Sequence, residues 1–268
     1  MGHSEMILQR LTTAFRKQDW FTVVIETLIV VLGVFLGVQI GNWNQSGQQQ
    51  RLFDESFDRA IVEIQSNLAE IEAARETVAA RIPIVQLAIE DLRACRTDDA
   101  AKARIEAAFA PIGTLSGFNL DTKALDQLIN NDGFLPYQAP GMRKRLMALS
   151  TRLNLLHDNS RRMGETSILK YKDVSHIVQP GPLTFEGPDQ IVEAIRGGAI
   201  ASEEMVRKRE LVVPLEIACR DEAFLDGFYT WEDTAHYRWV MGTFAAEAIR
   251  NDLEALGMPA SGPEAVTP

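Results

Sequence analysis

Residues Phe21 to Ile40, FTVVIETLIVVLGVFLGVQI, form an apolar run interrupted by one charge, Glu26, with Trp20 before it and Trp43 just after it. About 20 such residues, rising 1.5 Å each as a helix, cover the ~30 Å hydrocarbon core of a bilayer. No other run in the sequence reaches that length. The first expectation is therefore a transmembrane helix over 20–43, with everything else arranged around it. A cleaved signal peptide has a shorter apolar stretch, ~7–15 residues, followed by a small-x-small cleavage site. Here the run ends in Gln39-Ile40-Gly41-Asn42-Trp43-Asn44. A bulky indole between amides is a poor cleavage site and a good interfacial anchor, so the span is expected to be retained, with Trp20 and Trp43 at the two membrane borders.

The flanks set an orientation. Arg10, Arg16 and Lys17 precede the span, and no basic residue follows it until Arg51. The positive-inside rule then puts residues 1–19 in the cytoplasm and the large domain outside, which in a bacterium is the periplasm across the inner membrane. Within the tail, Ile7, Leu8, Leu11 and Phe15 share a helical face, the pattern of a short amphipathic helix lying in the interface.

After the span, Asn42 to Gln50 reads as a polar hinge. A long helical pattern follows. Phe57, Ile61, Ile64, Leu68, Ile71, Val78, Ile82, Val85, Ile89 and Leu92 recur at spacings of four and three, with Arg75 as the one interruption. This is a heptad-like stripe of about five repeats, a coiled-coil-like seam that predicts packing against a folded-back bundle. Pro83 predicts a kink or break near Arg81–Pro83. Further helices are expected over 96–110, 121–131, 141–171 and 189–196, then 202–227 with a bend at Pro214, and 230–256. Residues 176–190, HIVQPGPLTFEGPDQ, read as a loop. No alternating strand pattern is visible. The fold class is all-α: one N-terminal transmembrane helix, then an elongated helical bundle over 44–256, with a disordered tail over 257–268.

Composition narrows the partners. The net charge of −10 repels phosphate backbones, so nucleic acid is excluded as a partner. The sequence lacks G-x-S-x-G, a phosphate-cradling glycine loop, H-E-x-x-H and C-x-x-C, which argues against the common hydrolase, kinase and dehydrogenase classes. A non-enzymatic protein without cofactor or metal is expected. Glu232, Asp233 and His236 share a helix face but have no second histidine nearby, so a solvated cluster outweighs a metal site. Cys95 and Cys219 admit a disulfide in an oxidising compartment or two separate buried thiols. The aromatic residues Phe224, Phe228, Tyr229, Trp231, Tyr237, Trp239 and Phe244 are expected as core of the last helices, with a ligand pocket as the other possibility.

The sharpest constellation lies in the span. Gly33, Gly37 and Gly41, spaced by four, share a helix face with Glu26 nearby. Absent side chains let a second helix approach closely, so this face predicts a helix–helix contact with another copy or another membrane protein. Glu26, about 9 Å inside Trp20, would be protonated, partnered or reaching toward the interface. The leading expectation is an interaction or scaffold subunit. The others are a ligand-sensing bundle that signals through a partner and an ion-coupled membrane subunit using Glu26.

Asp19-Trp20, Glu26, Val30-Val31, Gly33-Val34-Phe35-Leu36-Gly37 and Asn42-Trp43-Asn44, together with Thr122, Ala124, Leu125, Leu128, Gly133-Phe134-Leu135, Arg143 and Leu146, resemble an uncharacterised bacterial family of small single-span membrane proteins. The resemblance covers about half of the chain. It implies a bacterial membrane protein with a short tail, a glycine-rich span ending near Asn-Trp and a helical domain. It implies no catalytic residue.

Overall fold

The computed structural model describes residues 19–113, 117–167, 170, 172–183, 187, 189, 190, 192 and 207–260. The expected amphipathic helix in residues 1–18 and most of the helix at 189–196 lie outside them. The chain is mostly helical, and helix α1 dominates it, running from Asp19 to Arg93 over 75 residues. The Asn42–Gln50 hinge is absent: the polar stretch is helical throughout. Glutamine is a good helix former, and the segment is exposed on nearly all sides, so nothing there forces the chain to turn. Pro83 does not break the helix either. Pro83 and Ala79 are both exposed, so the Ala79 carbonyl that loses its amide partner is left to water.

Two cores are strung along the distal part of α1. The first involves Phe53, Ile61, Ile64, Leu68 and Ile71. Three further elements surround it: α4 (Lys123–Asn130), α5 (Pro140–Ser167) and α7 (Glu222–Ala255). Helix α1 touches α7 and α4, and α5 closes the ring by touching the same two. The second core, farther from the apolar run, involves Val78, Val85, Ile89 and Leu92. It packs against α2 (Asp99–Ala107), α3 (Phe109–Gly113), α6 (Leu215–Ala218) and the start of α7. The heptad-like stripe is therefore covered by the chain's own helices. Helix α7 runs antiparallel to α1: Glu232 accepts from Gln86 at 2.9 Å, Thr243 meets Arg75 at 3.5 Å, and Arg250 pairs with Glu72.

Close approach of these helices depends on Gly242. A Cβ there would lie 3.3 Å from the Phe118 ring and 3.7 Å from Ile71. Phe118 belongs to the irregular stretch 117–122, which threads past α1, α5 and α7. Its amide donates to Ser160 Oγ at 2.7 Å, and its carbonyl lies 3.1 Å from His157 Nδ1. Beside it, Arg238 is buried and donates from Nη2 to the Ser160 carbonyl at 2.6 Å. Burial pushes its guanidinium down to about 10, which still leaves it charged at neutral pH.

Helix α4 is held by α1. Glu63 accepts from the amides of Ala124 at 2.8 Å and Leu125 at 3.0 Å, so a carboxylate from another helix caps the α4 N-terminus. One turn along, Asn67 exchanges two hydrogen bonds with the backbone of Asp121, at 2.6 and 2.9 Å.

Two expectations fail in the distal region. The stretch read as a loop contains β1 (Val178–Leu183), and the stretch read as helix 202–227 contains β2 (Arg207–Leu211), with 202–206 outside the described residues. They pair antiparallel, Val178 opposite Leu211 and Pro180 opposite Arg209, with an irregularity after Pro180. Among the described residues these two strands have no further neighbour, so each has an outer edge, where a proline's missing donor is tolerated. Neither strand carries the alternation that marks a half-buried strand, which is why the pair escaped detection. The last helix also starts earlier than expected, at Glu222, where Asp221 accepts from the Phe224 amide at 2.9 Å as its N-cap. At its far end the sequence predicts disorder from Gly257. Instead Gly257 takes a left-handed φ of 74°, Met258 packs on the first core, and the Pro259 carbonyl accepts from Gln65 at 2.7 Å. Residues 261–268 lie outside the described residues.

Candidate functional site

The apolar part of α1 stands apart from both cores. From Trp20 to Gln48 every residue is exposed, including Leu28 at 54% and Phe35 at 56%, with Trp20 at 70% and Trp43 at 81%. It is long and apolar enough to cross a membrane, and none of it is buried against the rest of the chain. Gly33, Gly37 and Gly41 lie on one side of this segment, and a Cβ at any of them would meet nothing within 4 Å. Glu26 is exposed close to the same face, since seven residues of helix return to within 20° of the starting direction.

At the opposite end of α1 the structure brings Cys95 and Cys219 together in a disulfide, with Cα atoms 5.5 Å apart. The backbone explains how Cys95 reaches its partner. The Cys95 amide donates to the Leu92 carbonyl at 3.1 Å and the Arg96 amide to the Asp91 carbonyl at 3.0 Å. That is a Schellman ending, and its left-handed position, usually glycine, is filled by Cys95 at φ 45°. The turn aims the sulfur back toward Cys219, which closes α6 two residues before the α7 cap at Asp221.

Charges reinforce the same corner. Asp91 is almost fully buried and takes Arg104 through Nε at 2.6 Å and Nη2 at 3.1 Å, and Arg96 through Nη1 at 2.7 Å. The Arg104 guanidinium, with Arg96 beside it, holds the Asp91 carboxyl below its ordinary range against the opposing effect of burial. Asp221 is likewise lowered, chiefly by His176, whose Nε2 sits 2.8 Å from Oδ2, and also by the Phe224 amide that it caps. These contacts tie the end of α1, α2, α6 and the start of α7 into one unit.

The aromatic residues of α7 divide between two environments. Phe224, Phe228 and Trp231 are fully buried, and Phe224 and Phe228 stack edge-on with Phe109 at 6.1 and 6.5 Å. Tyr229, Tyr237, Trp239 and Phe244 are exposed, Phe244 at 64%. Around Glu232 and His236 the polar atoms are used locally: Glu232 binds Gln86, and His236 Nδ1 lies 3.0 Å from the Glu232 carbonyl. Among the described residues no group of three His, Cys, Asp or Glu side chains is placed to hold a metal. A cleft of about 500 Å³ lies between α2, α3 and β2, lined by Ala103, Glu106, Phe109, Lys208 and Glu210. Reading 202–227 as helix hid this cleft, because it exists only when residues 207–211 form a strand beside α2.

Fold and span together define the class: a mostly helical chain with one N-terminal helix able to cross a bilayer. Comparison with protein-family models, curated proteins and solved structures finds no match.

Proposed function

We propose that this chain is a single-span inner-membrane protein whose helical domain, on the periplasmic side, acts as an interaction or scaffold subunit rather than as an enzyme. The observation that carries the reading is the contrast along α1. Its distal stripe is covered by the chain's own helices, while the apolar segment from Trp20 to Ile40 is exposed on every face. An uncovered apolar cylinder of this size far exceeds the patches soluble monomers tolerate, and lipid is the solvent that suits it. Arg10, Arg16 and Lys17 before the span favour a cytoplasmic N-terminus. The Cys95–Cys219 disulfide fits the same placement, since such bonds persist in the periplasm and are rare in the cytosol.

Within the bilayer the open Gly33, Gly37 and Gly41 face would receive the partner, a second copy or another membrane protein. Alkaline carbonate washing should leave the intact chain in the membrane pellet; complete release would refute the anchor. Gly37→Ile should then weaken the association seen in mild detergent. A side chain at Gly37 meets nothing in its own chain, so the fold is preserved and an unchanged oligomer would rule the glycine face out.

A further inference from the structure

We infer that the cleft between α2, α3 and β2 binds an amphiphilic organic anion, a carboxylate or similar monoanionic head on an apolar stem. The inference goes beyond the scaffold reading and does not depend on the span.

Charge identifies the head. The chain carries a net charge of −10, yet the cleft is lined by Arg207, Lys208 and Arg209 against Glu106 and Glu210, a net positive site on an acidic protein. Neither carboxylate pairs with Arg207 or Lys208. Glu106 Oε1 accepts from the Leu211 amide at 3.1 Å and lies 3.8 Å from Lys102 Nζ. Glu210 is turned across the sheet, where a Cβ on Gly181 would lie 2.7 Å from its carboxyl carbon. The Lys208 ammonium has no hydrogen-bond or ion-pair partner among the described residues, and Arg207 commits only Nη1, to the Gly181 carbonyl at 3.1 Å. A small excess of positive charge suits a monoanion. A polyphosphate would be repelled by Glu106 and by the acidic chain around it.

Shape identifies the stem. Ala103 and Ala107 of α2 and Ala110 of α3 are exposed along the helical wall of the cleft. Their short side chains leave apolar surface open where longer ones would fill the gap. The volume of about 500 Å³ falls within the ~300–1,000 Å³ typical of small-molecule sites, which likewise combine apolar walls with a few polar groups that orient the ligand. The walls are fixed before any ligand arrives. The Glu106–Leu211 bond ties β2 to α2, and Leu211 is buried in the second core. The Cys95–Cys219 disulfide joins the segment before α2 to the segment after β2. A site held open in this way loses little ordering entropy when it is filled.

The test follows 4-(trifluoromethyl)benzoate by fluorine NMR, with the full chain in mild detergent and protein-free micelles as the blank. Saturable line broadening should give a Kd on the order of 1 mM or tighter for a ligand of this size. Lys208→Gln should raise that Kd about tenfold, the loss expected for one charge-assisted hydrogen bond. Ala107→Trp should abolish saturable binding by filling the cleft, and Lys144→Gln, on α5 and outside the lining, should leave it unchanged. Lys208 and Ala107 are both exposed, so neither substitution disturbs a core, and circular dichroism melting checks that each variant is folded. Absence of saturable broadening, or an equal Kd in the wild type and Lys208→Gln, would overturn the site. Equal binding of 4-(trifluoromethyl)benzylammonium would refute the anionic head. Displacement of the probe by inorganic phosphate as effectively as by unlabelled 4-ethylbenzoate would refute the apolar stem.

Discussion

Breaking the Cys95–Cys219 bond should destabilise the distal half of the domain by about 5 kcal/mol. The two cysteines are 124 residues apart. In the chain-entropy treatment, closing a loop of that size removes roughly 16 cal/mol/K from the unfolded chain, or about 5 kcal/mol at 25 °C. Trp231 is the reporter, because it is fully buried in the second core while Trp20, Trp43 and Trp239 are exposed. Urea unfolding of the detergent-solubilised chain, followed by tryptophan emission with and without reductant, should show the midpoint fall by about 2.5 M, taking a slope of about 2 kcal/mol per M. The left-handed backbone at Cys95 adds an internal control. With Cys219→Ala in both, Cys95→Gly should exceed Cys95→Ala in stability by about 1 kcal/mol, because only the glycine adopts that φ without penalty. Equal midpoints after verified reduction, or two thiols titrating before any denaturant is added, would refute the reasoning.

Two other perturbations test the packing. Asp91→Asn leaves Arg104 and Arg96 around a neutral amide; both guanidiniums reach solvent, so no buried charge is stranded and the cost in the same urea assay should be about 1–3 kcal/mol, that of the lost charge-assisted hydrogen bonds. The wild-type carboxyl is depressed below its ordinary 3.8, so its contribution is complete above pH 3.8 and disappears as pH falls through the lower folded-state value. Acid titration by circular dichroism should show that loss below about pH 4 in the wild type and a shallower slope in Asp91→Asn. Glu63→Ala removes the acceptor for the Ala124 and Leu125 amides and should lower stability by about 1–2 kcal/mol. Amide exchange at 124 and 125 should rise ahead of the global change, and unchanged exchange there would contradict the cap.

Legibility in the sequence followed periodicity. Ile64, Leu68, Ile71, Val85 and Leu92 announced their burial through spacing alone, because a helix repeats its buried face at a fixed interval. The apolar run was visible because bilayer thickness demands a minimum length. The strands β1 and β2 are not legible in this way, since Val178-Gln-Pro-Gly-Pro-Leu183 has no alternation and one β-branched residue among two prolines and a glycine, and its pairing partner lies some thirty residues on. The continuity of α1 through Asn42–Gln50 was missed for the opposite reason: polarity was read as a joint, although nothing in Gln48-Gln49-Gln50 opposes helix. Glu63 and Asn67 fall outside the apolar stripe, and nothing in their spacing singles them out. Their task, holding the backbone of 121–125, depends on a segment more than fifty residues away and leaves no local trace. The Cys95–Cys219 pairing remained one of two options until the turn at Cys95 aligned the two sulfurs.

The unbroken course of α1 makes it a lever. With 75 residues and no joint, it is a rod of about 110 Å, and some 75 Å separate Gly41 from the arginine-bound Asp91. If a neighbour seats against the glycines as proposed, a displacement there meets no break in the helix before Arg93. Movement of the membrane-side end would then reach the disulfide-closed corner along a single helix.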